Sequence, residues 1–148
     1  MKNTYCAYLL FILMLVSCTS SDRLISTHVF SDGEWSRFTN PVLDFQIKNP
    51  GIYYDMFLEL DVDLSQKPDN LKMTVIMNSP GGEIRSRDIV PDFNTAIVDG
   101  ENARLRIVLR REYAFSEKGV CSFEIENRDS KTITTGVKSI SIVLEKSQ

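Results

Sequence analysis

Tyr54-Asp55-Met56-Phe57-Leu58-Glu59-Leu60-Asp61-Val62-Asp63-Leu64 is the stretch that decides the fold class. Tyr54, Met56, Leu58, Leu60, Val62 and Leu64 fall on one side of an extended chain, and Asp55, Phe57, Glu59, Asp61 and Asp63 on the other. A period of two held this long does not fit a helix, whose faces return about every 3.6 residues. The segment reads as a half-buried β-strand with an apolar inner face and an acidic outer one.

The same alternation runs outward in both directions. Leu24 to Phe30 reads as a first strand, and Pro41 to Ile47 as a second with Leu43, Phe45 and Ile47 inward. Asn49-Pro50-Gly51 marks the turn before the acidic strand. After the polar connection Gln66 to Asn70, the residues Leu71, Met73, Val75 and Met77 form the next apolar face. Ser79-Pro80-Gly81-Gly82 is a strong turn signal, because proline presets φ and glycine accepts positive φ without penalty. Ile84 to Val90 is a less cleanly patterned strand. Ala96 to Val98 and Ala103 to Arg110 form a hairpin about Asp99-Gly100. In its second arm Ala103, Leu105, Ile107 and Leu109 are expected inward, and Arg104, Arg106 and Arg110 outward. Val120 to Ile125 and Val137 to Leu144 complete the set, with Ile140, Ile142 and Leu144 as the last inward face. No segment offers an amphipathic helix of more than two turns. Short antiparallel strands with one apolar face each pack as two sheets, so the expected fold is an all-β, antiparallel two-sheet β-sandwich with a jelly-roll variant. A barrel is the alternative.

The amino terminus carries a different kind of signal. Lys2 precedes an apolar run from Tyr8 to Val16, which closes on Leu15-Val16-Ser17-Cys18. A basic start, a short hydrophobic segment and small residues before a cleavage point make an export signal. The run is shorter than the roughly 20 apolar residues of a membrane-spanning helix. The cysteine directly after the cleavage point makes the stretch a lipobox, in which Cys18 becomes the new first residue and is lipidated. Residues 1–17 are therefore expected to be a lipoprotein signal peptide, 18–23 the lipidated cysteine and a polar tether, and 24–148 the β-sandwich domain. Two or more acyl chains, at about 0.8 kcal/mol per buried methylene, hold a protein on a membrane effectively permanently. Thr19 rather than aspartate after the cysteine favours the outer membrane. A lone acidic residue in the tether, Asp22, favours its periplasmic face over display on the cell surface.

Charge and cysteine content narrow the function classes. With 17 basic and 20 acidic residues the chain is mildly acidic, at a formal net charge of −3. That argues against nucleic acid, for which a basic patch is the expected footprint. Of three cysteines, Cys6 leaves with the signal and Cys18 is consumed by lipid. Cys121 alone remains, so no intrachain disulfide is expected. It alternates with Phe123 and Ile125, which reads as a buried small hydrophobe.

Catalytic chemistry has little to build on. The single histidine, His28, lies on an expected edge strand. A metal centre of the usual kind needs more His or Cys ligands than the mature chain holds, so no metal and no cofactor is expected. Pro80-Gly81-Gly82 lacks the lysine and helix of a phosphate loop, and no Gly-x-Ser-x-Gly elbow occurs. Two charge stripes remain, Asp55, Glu59, Asp61 and Asp63 on one strand and Arg104, Arg106 and Arg110 on another. The plain reading is a solvated face with cross-strand ion pairs. The functional reading is a protein-docking surface of Asp55, Phe57, Glu59, Asp61 and Asp63, in which Phe57 is an exposed aromatic among carboxylates. The aromatics Trp35, Tyr53 and Tyr54, with Phe38 nearby, are the alternative, a sugar-binding platform. Against that, Trp35 in Asp32-Gly33-Glu34-Trp35 suits a cap on the core.

The order of several motifs resembles the gliding-motility lipoproteins of the GldH type from Bacteroidetes. These are the signal ending at Cys18, Gly33-Glu34-Trp35, the acid-flanked aliphatic strand, Pro68-Asp69-Asn70-Leu71, and the Ser79–Gly82 turn followed by Asp88. Phe123-Glu124-Ile125-Glu126, Gly136-Val137 and Leu144-Glu145-Lys146 complete the series. The chain departs from the family at Gln66-Lys67, where an aromatic pair is usual, and near Asp99-Gly100, where a tryptophan is missing. The resemblance implies a non-enzymatic envelope lipoprotein with protein partners, an accessory to a motility- and secretion-associated machine. Related sequences in non-motile bacteria mean that motility itself need not carry over. The family offers no catalytic residues to transfer. A lipid-anchored carbohydrate-binding module is the alternative function.

Overall fold

The computed structural model describes residues 22–148; the signal peptide, Cys18 and most of the tether lie outside the described residues. The described residues form eleven strands: β1 (Arg23–Val29), β2 (Glu34–Ser36), β3 (Val42–Ile47), β4 (Tyr53–Asp63), β5 (Met73–Asn78), β6 (Ile84–Ile89), β7 (Ile97–Asp99), β8 (Asn102–Ala114), β9 (Gly119–Asn127), β10 (Ile133–Thr135) and β11 (Val137–Lys146). They form a five-stranded sheet in the order β1-β11-β4-β8-β7, a four-stranded sheet in the order β3-β9-β5-β6, and a two-stranded clip of β2 and β10. The expected antiparallel β-sandwich is the observed architecture.

The pairing resolves the finer topology. Set aside the short strands β2, β7 and β10, and β1 pairs with β11, β3 with β9, β4 with β8 and β5 with β6. First meets last, second meets second-last, and so inward to a single hairpin. This is a long antiparallel ribbon rolled into two sheets, the jelly-roll arrangement. The Ser79–Gly82 turn forms the ribbon's tip, where the Gly82 N–H donates to the Ser79 carbonyl at 2.9 Å.

Period two in the sequence becomes two faces in space. Met56, Leu58, Leu60 and Val62 of β4 meet Ile140, Ile142 and Leu144 of β11 in the core, facing Phe45, Met73, Val75, Phe123 and Ile125 of the other sheet. The core runs from Phe30 to Leu144, with Leu24 packed against it, so the chain from Thr19 onward carries it whole. Cys121 is fully buried, as its alternation predicts, and burial together with the nearby Asp44 charge pushes its thiol up to about 12. His28 lies on the edge strand β1, half-buried with its ring edge-on to Phe30 at 4.8 Å.

Two features depart from the sequence reading. Glu34–Ser36 and Ile133–Thr135, too short to show a period, pair as a clip across one end of the sandwich. And β8 runs four residues beyond Arg110, because it absorbs extra residues opposite β4. Phe57 stands opposite Val108, Met56 opposite Arg110, and Tyr54 opposite Tyr113. Each irregularity is a β-bulge, which reverses the facing of the residues beyond it. Arg110, expected outward, therefore pairs with the core residue Met56 on the inward side. A third irregularity begins β11 at Val137. Before it, Gly136 has φ +87°, and a Cβ there would run into the Gln66 carbonyl, so only glycine fits.

Candidate functional site

The outer face of the five-stranded sheet holds the sequence-predicted docking residues. Register sets them in rows across the strands. One row is Ile25, Val143, Phe57 and Val108; the next is Thr27, Ser141, Glu59 and Arg106; a third is Val29, Ser139, Asp61 and Arg104. The two charge stripes thus face one another strand to strand, and opposite charges directly across a pair attract. Arg104 grips Asp61 through two nitrogens at 2.7 and 3.1 Å. Arg106 bridges Glu59 at 3.1 Å and Glu145 at 2.7 Å. Arg23 reaches the same two carboxylates from the other side, each at 3.2 Å.

Each carboxylate of the stripe is committed within the chain. Asp55 accepts from the Glu112 N–H at 2.9 Å, from Ser147 Oγ at 2.9 Å and from Arg111 at 2.8 Å. Glu112 sits at φ 52°, a left-handed conformation uncommon for glutamate, and the Asp55 carboxylate holds that second bulge in place. Those hydrogen bonds, led by the Glu112 amide, keep the Asp55 carboxyl below its usual range. Asp63 accepts from both the backbone N–H and the hydroxyl of Ser65, at 2.9 and 2.6 Å, and so caps the 3-10 turn at 64–66. At Asp61 partial burial pushes the carboxyl up, but hydrogen bonds from Arg104 and Ser139 outweigh it and leave it lowered.

Phe57 corrects the sequence reading. It does lie on the outer face, but only 7% of it is exposed. The Arg106 guanidinium lies over the ring at 3.8 Å from its centroid, with Arg111 at 5.6 Å. With the fully buried Val143 beside it, Phe57 forms a small apolar island apart from the main core. A cation held over an aromatic face is worth roughly 0.5–2 kcal/mol, more as it is desolvated. The exposed apolar atoms of this face belong instead to Ile25, at 52%, and Val108, at 37%, in the same row, and to Val29 and Ile97 in the row of Asp61 and Arg104.

The sugar platform is not assembled. Trp35 has no exposed surface; it stacks on Phe30 at 5.1 Å and its Nε1 donates to the Thr39 carbonyl at 3.0 Å. Tyr54 points into the core beside Phe115. Tyr53, next along the strand, points out and is 58% exposed, because successive strand side chains alternate. Of the three predicted rings, one is available. Trp35 acts as the cap that its turn-rich context suggests. Beneath it, the buried Asn127, Asp129 and Thr134 hydrogen-bond one another, and Asn127 also donates to the Trp35 carbonyl at 3.1 Å.

A second site was not foreseen from the sequence. The two sheets do not meet along the side bounded by β6 and β8. Val75 pairs with Arg87 and Met77 with Arg85, so β6 turns two arginines toward the inter-sheet space. Arg110 reaches the same space from the first bulge of β8. Between them lies a cavity of about 320 Å³ floored by Met56, Val75, Met77, Leu109 and Phe123. Arg87 donates to the Val108 and Leu109 carbonyls at 2.8 and 2.7 Å, across the gap between sheets. Arg85 pairs with Glu83, whose other oxygen accepts from the Tyr113 hydroxyl at 2.7 Å. Both partners hold the Glu83 carboxyl below its usual range, and burial and Glu83 raise the Tyr113 phenol above its own. The inward pairs of arginine with valine and methionine were the only sequence signal, and they are readable only once the register is known.

No group of three or more His, Cys, Asp or Glu side chains that could hold a metal ion occurs among the described residues, and none of their helices is long and apolar enough to cross a membrane. No protein-family model matches the chain, and no curated protein is significantly similar to it. Solved structures similar to it include latent PorU from Porphyromonas gingivalis, at 11% identity and TM-score 0.42 over 84% of this chain and 12% of that one. They also include infectious bursal disease virus VP2, at 13% identity and TM-score 0.44 over 86% of this chain and 34% of that one. The xylan-binding CBM22-1 domain of Paenibacillus barcinonensis Xyn10C is similar at 12% identity and TM-score 0.34, over 84% of this chain and 95% of that one. The chain thus spans a minor part of the first two proteins.

Proposed function

We propose that this chain is a lipid-anchored, non-enzymatic envelope protein that docks a protein partner on the outer face of its five-stranded sheet, in an accessory role of the kind the gliding-motility lipoproteins suggest. The observation that carries the docking surface is the row Ile25, Val143, Phe57 and Val108, flanked by arginines whose charges are already balanced. Arginine and aromatic groups packed around an apolar strip are the usual makings of an interface centre. Balanced charge lowers the desolvation cost of covering such a face. The surface offered to a partner is therefore guanidinium and aliphatic, with the carboxylates beneath acting as supports.

The anchor fits this placement. Arg23 begins β1 five residues after Cys18, so a lipid on Cys18 would hold that end of the sheet within about 17 Å of the membrane. The domain would then stay beside the bilayer, where confinement to two dimensions raises the effective concentration of membrane partners.

Two measurements test the reading. Metabolic labelling with an alkynyl fatty acid should mark the wild type and not Cys18→Ala. A photocrosslinking residue placed at Val108 or Ile25 should capture a specific envelope protein in cells, whereas one at Ile84 on the other sheet should not. Equal capture from all three positions, or capture unchanged by Cys18→Ala, overturns the docking assignment.

A further inference from the structure

The gap between β6 and β8 combines an apolar floor with unbalanced positive charge. Most arginines of the neighbouring sheet face have a carboxylate partner, and Arg85 has Glu83. Arg87 and Arg110 form no ion pair among the described residues. Arg87 is held by two neutral carbonyls, and Arg110 lies near the Tyr113 ring at 5.6 Å. Two formal charges thus converge on the mouth of a slot in a protein whose net charge is negative. Met56, Val75, Met77 and Phe123 lie at the bottom of the slot and are themselves buried, whereas Leu109 is only partly buried and β6 is exposed from Ile84 to Asp88 at its mouth.

From this geometry we infer that the slot binds a single-chain amphiphile with an anionic head, a free fatty acid of medium length. The alkyl chain lies on Met56, Val75, Met77 and Leu109, and the carboxylate meets Arg110 and Arg87. At about 320 Å³ the cavity falls at the small end of ligand pockets, roughly 300–1,000 Å³, and holds one chain, not the two of a phospholipid. An ionised carboxylate is the head that guanidinium recognises best, through paired N–H donors. Inward arginines on an edge strand also deter strand-to-strand aggregation. That role needs no ligand, and the experiment separates the two. Neither the lipid anchor nor the docking face is needed for the slot to bind.

The test uses the chain from Thr19 onward, with decanoate, decanol and phosphatidylglycerol vesicles as probes. Calorimetric titration should show saturable one-to-one binding of decanoate. Binding of decanol should be at least about tenfold weaker, a difference of roughly 1.4 kcal/mol for the lost charge-assisted contact. Arg110→Gln should weaken decanoate to a similar degree and Arg110→Lys should restore part of it. With methyl-labelled methionine, decanoate should shift the Met56 and Met77 signals, and this reports the site even if a variant folds poorly. Equal affinity for decanol, no response to Arg110→Gln, or unmoved methionine signals overturns the proposal. Binding to the vesicles but not to decanoate overturns the choice of a free acid.

Discussion

The end capped by Trp35 and the side left open between β6 and β8 face the same core and are finished in opposite ways. At the capped end each buried polar group has an internal partner. Asn127, Asp129 and Thr134 bond one another and the backbone, so the tryptophan can be sealed over them. At the open side the inward positions of β6 go to Arg85, paired with the exposed Glu83, and Arg87, held by two carbonyls, so charged groups stand where an apolar seal would have to form. The short clip β2–β10 supplies the lid at one place, and nothing comparable among the described residues spans the other. Two or three residues per site, not the overall topology, decide where this sandwich is closed.

The largest effect comes from breaking the capped end. Trp35→Ala removes a fully buried ring stacked on Phe30 and should cost about 3–5 kcal/mol, read as a lower denaturation midpoint at unchanged slope. Asp129→Ala should cost about 2–3 kcal/mol. It strips the acceptor from the Lys131 N–H and from the buried Thr134 hydroxyl. Replacement of an open-side arginine should behave differently. Arg87→Leu should change stability by less than about 1 kcal/mol, because apolar packing offsets the lost bonds to Val108 and Leu109. It should instead produce concentration-dependent association in sedimentation velocity, as the strand edge loses its guard. Monomeric behaviour at all concentrations would show that the arginine does not protect that edge.

The smallest effect is a pH dependence on the outer sheet face. Asp55 and Asp61 have carboxyls lowered by their partners, so each contributes stability that is fully present above the unfolded value, near pH 4. That contribution fades as pH falls through the lower folded values. Wild type should therefore lose stability below about pH 4, and Asp55→Asn should flatten part of that slope while leaving neutral-pH unfolding cooperative. A slope unchanged in Asp55→Asn would remove the carboxylate from its place as anchor of the Glu112 bulge.

Much of the fold was legible in the residues. Alternation in Tyr54–Val62, Leu43–Ile47 and Cys121–Ile125 placed each of these strands with its correct inner face, since a half-buried sheet writes its period directly into the chain. The clip strands were not legible, because three residues cannot display a period. The bulges in β8 were also hidden, and with them the reversal of Arg110, since nothing in Val108-Leu109-Arg110-Arg111 marks where an extra residue is absorbed. The candidate site was read in part. Cross-strand ion pairing was expected from two facing charge stripes. Burial of Phe57 was not, because it depends on which arginine lies beside it across the register. The open slot depends on register alone, and no local pattern announces it.

The nested pairing of strands has a kinetic consequence. Arg23 lies opposite Glu145, and β11 sits between β1 and β4, so β1 cannot join the five-stranded sheet, and β4 stays on its edge, until the last ten-residue strand arrives. Local closure can begin at the β5–β6 hairpin and at the short β7–β8 hairpin; each nested pair outside β5–β6 must bring together residues farther apart along the chain. Folds of such high contact order form in milliseconds to seconds, not microseconds. Until β11 is free to pair, β1 lacks its only strand neighbour and the edge of β4 is uncovered, so an incomplete chain exposes strand edges open to aggregation for that long.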